Sequence, residues 1–238
     1  MLHFLCIAKD PDTGLPAFTD KGINNEARLL LVAGSDSTTV TMSGLFFYLA
    51  CYPKVHKKMV EEVTSRFSSA NEITPGPKLS SCKYLRACID EALRKAPAGL
   101  SELPREVLQG GMVIDDEYIP EGVVVGKSRY SDMNNEEVFE DPEVFRPERW
   151  IPSDDNPPEE VSHIKANFYP FSTGPFNCSG TNFALQELML MVAKTVHRLD
   201  FRLAAGAKKK DDVPYMDLKD AYITVKEGPL LQFRRRQT

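Results

Sequence analysis

Phe171-Ser172-Thr173-Gly174-Pro175-Phe176-Asn177-Cys178-Ser179-Gly180 is the stretch on which the reading of this chain turns. Two glycines and a proline shape a tight loop, and the cysteine stands at its exit. The residues that follow have helical apolar spacing: Phe183, Leu185, Leu188, Met191, Val192 and Val196, predicting a helix from about Gly180 to His197. A sulfur at a helix N-terminus meets free backbone N–H groups and the positive end of the helix dipole, both of which stabilise a thiolate. A thiolate held this way is what an axial iron ligand needs, because it pushes electron density onto the metal. An inert buried cysteine beside a capping loop fits the same ten residues, and on them alone the two readings are level.

The rest of the composition narrows the class. The chain has 238 residues, enough for one sizeable core and marginal for two domains, so a single domain over 1–238 is expected. Net charge is −5, which gives no reason to expect a nucleic-acid partner. The basic run Lys208-Lys209-Lys210 meets Asp211-Asp212 at once and reads as a solvated loop; the other, Arg234-Arg235-Arg236, is short. Five cysteines without a CxxC suggest neither a zinc site nor a disulfide framework, and free thiols fit a reducing compartment. The apolar start, Met1 to Ala8, lacks a basic n-region, so no signal peptide is expected. Leu29 to Leu49 is long and apolar, but its centre reads Gly34-Ser35-Asp36-Ser37-Thr38-Thr39. A carboxylate and four hydroxyls in mid-span rule out a transmembrane helix. A long helix through a protein core is expected instead, with a polar cluster in its middle that asks for a reason.

Asp10 to Gly14 is turn-rich. A long, mostly buried helix is predicted over about Asp20 to Tyr52, and Pro53 starts the next, striped by Val55, Met59, Val60 and Val63. Ser69 to Lys78 reads as a loop. Ser80 or Ser81 can cap a third helix that runs to Lys95 and stops before Pro97. Residues 104–126 break into short strands with turns, Asn134 to Phe171 is an irregular proline-rich stretch, and 199–235 reads as terminal strands. The class is α+β, mainly α.

The loop matches FxxGxxxCxG at Phe171, Gly174, Cys178 and Gly180, and so resembles the haem-binding loop of cytochromes P-450. The resemblance implies haem b as cofactor, with Cys178 as the metal ligand and Phe171, Gly174 and Gly180 shaping its loop. The family usually has a basic residue where Phe176 stands, to pair with a haem propionate. Ala33-Gly34-Ser35-Asp36-Ser37-Thr38 resembles the family's oxygen-activation motif and accounts for the polar cluster: Asp36 would feed protons toward dioxygen and the Ser37 hydroxyl would orient a water. Serine in place of the usual threonine keeps the hydroxyl but loses the methyl that restricts it, which predicts a looser site and more uncoupled peroxide release. Glu91-Ala92-Leu93-Arg94 resembles the ExxR motif, with Arg149 in Pro147-Glu148-Arg149-Trp150 as third member of a buried network. Arg105, in Pro104-Arg105-Glu106-Val107, matches the family's propionate partner.

The motifs stand in family order over the whole chain, closest to fungal microsomal members. What they imply is the C-terminal half of the cytochrome P-450 fold, with a long central helix, a haem-loop helix and small β-sheets. They also imply a haem-thiolate monooxygenase that oxidises a small hydrophobic substrate, a secondary metabolite or xenobiotic, with dioxygen and electrons from a flavoprotein NADPH reductase. Ala96 to Glu102 would line the substrate pocket. Family members are roughly twice this long and usually sit on the endoplasmic reticulum membrane facing the cytosol; no anchor is expected in these residues. A truncated remnant without turnover, or a half-protein binding module, is the alternative.

Overall fold

The computed structural model describes residues 2–204, 209–210 and 213–236. A short helix, α1 (Leu2–Ile7), leads through the Asp10 turn into α2 (Asp20–Cys51). The Asp10 carboxylate accepts from the backbone N–H of Thr13 at 2.7 Å and from its hydroxyl at 2.8 Å, which closes that turn. The Thr19 hydroxyl caps α2 by accepting from the Gly22 N–H at 3.1 Å. The helix stops at Tyr52 because a residue before proline is pushed out of the helical region, and Pro53 then opens α3 (Pro53–Arg66).

The expectation of a mostly buried α2 holds for only half of it. Burial begins at Thr38 and continues through Val40, Thr41, Leu45 and Phe47 to Leu49; the N-terminal half leaves Leu29, Leu31 and Val32 more than half exposed. The polar cluster therefore lies at the edge of the core rather than in its middle. The helix buried along nearly its whole length is α5 (Lys83–Lys95), preceded by the single turn α4 (Pro77–Ser80) at the end of the predicted loop. Gly44 lets α2 approach the end of α5: a Cβ there would stand 2.3 Å from that of Ala96.

Neither Ser80 nor Ser81 caps α5. Its first N–H groups are satisfied from another helix, where the Glu62 carboxylate of α3 accepts from Tyr84 N–H at 3.1 Å and from Leu85 N–H at 2.9 Å. An anion at a helix N-terminus also meets the favourable end of the dipole. Glu62→Ala should cost about 0.5–2 kcal/mol, the loss expected for a cap. A lowered urea midpoint at unchanged slope is the expected result; an unchanged midpoint would refute the cap.

The core joins α2, α3, α5 and α8 (Thr181–Arg198) through Leu45, Leu49, Met59, Val63, Leu85, Ile89, Val192 and Val196. Phe183 and Met191, predicted as apolar seam, face outward; the seam runs through Leu188, Met189, Val192, Ala193 and Val196. Cys82 and Cys88 are buried, and burial pushes both thiols up, as for structural cysteines.

All the β-structure is small and antiparallel. β1 (Arg105–Glu106) pairs with β4 (Val124–Val125), enclosing the hairpin of β2 (Met112–Ile114) and β3 (Glu117–Ile119). β5 (Leu199–Leu203) continues from α8 and pairs with β10 (Leu231–Arg235). Between them lie the pairs β6 (Lys209–Lys210) with β7 (Val213–Pro214) and β8 (Leu218–Lys219) with β9 (Val225–Lys226). Apart from β6, the predicted Lys208–Asp212 loop lies outside the described residues.

The stretch 134–171 is more ordered than predicted. After α6 (Arg129–Met133) it contains a 3-10 turn at Pro147–Trp150 and α7 (Pro158–Ala166). Pro158 sits in the first turn of α7 with Glu159 and Glu160 beside it, a helix start that the double proline obscured. Glu91 ties this segment to α5. Its Oε1 accepts from Arg94 Nη2 at 2.8 Å, Arg146 N at 3.0 Å and Arg149 Nε at 3.1 Å; its Oε2 accepts from Arg94 Nε and Trp150 Nε1, both at 3.0 Å. Arg94 also donates to the carbonyls of Met133 at 2.8 Å and Pro142 at 2.7 Å, and Arg149 to that of Glu140 at 3.0 Å. Lys95 Nζ adds a bond to Pro142 O at 3.1 Å. The expected Glu91–Arg94–Arg149 network is present, and it holds the segment that delivers the chain to the cysteine loop.

Candidate haem-binding site

The cysteine loop is built by its own backbone. Ser172 and Gly174 take left-handed conformations, φ 63° and 73°; the second is a natural place for glycine. A 3-10 turn over Gly174–Phe176 follows, and the Cys178 N–H returns to donate to Phe171 O at 2.8 Å. Phe171 is partly buried against the main core, so this bond fixes the cysteine to a packed anchor. Gly180 is the N-cap of α8, whose Ala184 N–H donates to Gly180 O at 2.8 Å. A methyl at Gly180 would come within 3.6 Å of the sulfur, and a larger side chain would cover it. Cys178 itself is exposed rather than buried.

Beside the loop is a cavity of about 370 Å³, lined among others by Arg105, Lys127, Arg129, Tyr169, Thr173 and Phe176. Arg105, on β1, stacks its guanidinium over the Phe176 ring at 5.2 Å and donates to Pro104 O at 2.9 Å. Phe171, Gly174, Cys178, Gly180 and Arg105 are thus brought together. Lys127 and Arg129 were not singled out from the sequence. The signal was the pairing itself: β1 and β4 register Arg105 opposite Val125, so the residues after β4 continue past Leu103 along the same cavity. Tyr169 donates its hydroxyl to the Asp132 carboxylate, tying α6 to the loop.

Asp36, exposed, and Ser37, partly buried, stand on α2 just before its buried half, and neither lines the cavity. Their segment has an unusual hydrogen-bond pattern. Ser37 Oγ donates to Ala33 O at 2.5 Å, Thr38 Oγ1 to Gly34 O at 2.7 Å and Thr39 Oγ1 to Ser35 O at 2.6 Å. Three consecutive bonds back to the preceding turn are the kind that bend a helix. With its proton committed, the Ser37 hydroxyl is left as an acceptor. The Asp36 carboxylate is exposed and accepts from Ser35 Oγ at 3.3 Å.

These parts fit a haem. One exposed sulfur is a sufficient protein ligand for a metal that arrives inside a macrocycle, and the cation-lined cavity suits an anionic edge of that macrocycle. The cytochrome P-450 family pattern matches residues 1–225. The chain belongs to the cytochrome P-450 family. This P-450 chain is 36% identical over 250 residues to a cytochrome P-450 monooxygenase of Gibberella zeae, with 100% of the chain and 56% of the relative covered. It is 38% identical over 231 residues to the monooxygenase atnE of Emericella nidulans, covering 96% and 44%. With lcsN of Purpureocillium lilacinum it shares 36% identity over 240 residues, covering 99% and 71%. The P-450 chain thus spans about half the length of several curated relatives that it matches. Among the described residues no helix is long and apolar enough to cross a membrane, as expected for Leu29–Leu49.

Proposed function

We propose that this chain provides the haem-ligating and proton-delivering part of a monooxygenase that oxidises a hydrophobic small molecule, of the kind handled in secondary metabolism. The overall reaction is RH + O2 + 2 electrons + 2 H+ → ROH + H2O, with the electrons drawn from NADPH through a flavoprotein reductase. The observation that carries this reading is the exposed Cys178, whose backbone is bonded to Phe171 O ahead of α8.

Bound haem supplies the redox centre at which dioxygen is activated. Cys178 would hold the iron through its sulfur, and the loop's backbone bonds fix where that sulfur stands. Gly180 keeps the approach to the sulfur clear. Arg105, which lines the cavity, would pair with an anionic group of the haem. On α2, Ser37 Oγ, which donates to Ala33 O, accepts from a water and orients its other proton. The Asp36 carboxylate, in contact with solvent, would take up a proton from bulk water and pass it on to replace the one that this water gives up. The Glu91 network acts on none of these atoms; it holds the segment from which they are positioned.

The test is haem content after expression with haem supplied. One haem per chain is the expected result, and a chain that folds without retaining haem overturns the reading. A second reading, in which the chain works only as one part of a bipartite assembly, is supported by the exposed Leu29, Leu31 and Val32 stripe on α2. It predicts full haem retention only after a partner polypeptide covers that stripe, seen as a hetero-complex by size exclusion.

A further inference from the structure

Three cations and no carboxylate line the cavity beside the cysteine loop, and they differ in what already neutralises them. Lys127 Nζ is 3.3 Å from the Asp132 carboxylate. Arg105 donates to Pro104 O and covers the Phe176 ring. Arg129 is half-buried, and among the described residues its side chain makes no hydrogen bond and no ion pair. Its guanidinium is tucked beside Gly99, where a Cβ would touch Nη1 at 3.8 Å. A partly desolvated guanidinium without a hydrogen-bonded partner is costly, and the cost is recovered when an anion docks. Phe176, which lines the same cavity, brings no charge to it.

We propose that Arg129 binds a carboxylate of the haem's propionate edge, taking over the role that Phe176 cannot perform, with Arg105 at its side. The guanidinium fork suits a carboxylate better than a point charge does. This inference rests on the haem-binding reading above, and its test separates the two.

The haem-free chain is titrated with haemin and, separately, with haemin dimethyl ester, whose propionates carry no charge; binding is read from the Soret band and from quenching of Trp150. Arg129→Gln is expected to weaken haemin binding roughly tenfold while leaving ester binding unchanged, the size of one charge-assisted bond. Adding Phe176→Arg to that variant should restore haemin affinity, which a misfolded chain would not allow. Equal haemin affinity in Arg129→Gln and the unaltered chain overturns the proposal, as does an equal loss for haemin and ester. Should the unaltered chain take up neither porphyrin, the haem-binding reading falls first and this inference with it.

Discussion

Glu91→Gln is expected to destabilise the chain by about 3–5 kcal/mol, the cost of breaking a buried ion pair by removing one partner. The glutamine keeps the shape but not the charge, and its amide nitrogen cannot accept from the donors that meet the carboxylate. Arg94 and Arg149, 0% and 2% exposed, would then be buried cations without a counter-ion. Against a typical total of about 5–15 kcal/mol, that loss approaches complete unfolding. Trp150 is the chain's only tryptophan and donates to Glu91, so its fluorescence reports the network directly during urea denaturation. A loss below about 1 kcal/mol, the range of surface pairs, would show that the network contributes little.

The same group predicts a pH dependence. Burial, the largest single influence on Glu91, pushes its carboxyl up, but the charges and hydrogen bonds of Arg94 and Arg149 together hold it below its ordinary value of 4.5. In the unfolded chain the carboxyl returns to that value. Its contribution is therefore complete above about pH 4.5 and lost as pH falls through the lower folded value. Glu91→Gln lacks this component, so its stability should fall less steeply with acid than that of the unaltered chain.

Cys178→Ala has the second large effect. It removes the single protein ligand proposed for the iron, and haem affinity should fall by more than about 100-fold, beyond the roughly 10–100-fold that follows loss of an outer-shell partner. The fold should be unaffected, since the sulfur is exposed and the structural bond at this position runs from the backbone N–H to Phe171 O. Equal urea midpoints with unequal haem content would separate ligation from folding.

Much of this was legible in the residues. The helices α2, α3, α5 and α8 follow from apolar spacing and from Pro53 and Pro97, which set boundaries through local sterics. The i, i+3 spacing places only the Glu91 carboxylate and the Arg94 guanidinium on one face; the buried network with Arg149 came from the family resemblance. What escaped depends on contacts between distant segments. Glu62 caps α5 from another helix, so nothing near Ser80 could announce it. Within the exposed half of α2 the run Leu29–Ala33 is as apolar as a core segment, and periodicity alone could not tell that it stays uncovered. Lys127 and Arg129 reach the cavity through the β1–β4 register, which periodicity does not specify. The helical start at Pro158 was present in the sequence but hidden by Pro157 before it.

The central claim is that the Cys178 sulfur ligates a haem iron as thiolate. The carbon monoxide difference spectrum of the dithionite-reduced, haem-loaded chain tests it most directly. A Soret maximum at the wavelength typical of thiolate ligation, absent in Cys178→Ala, is the predicted result. A maximum typical of nitrogen ligation, or one identical with and without the sulfur, would contradict it.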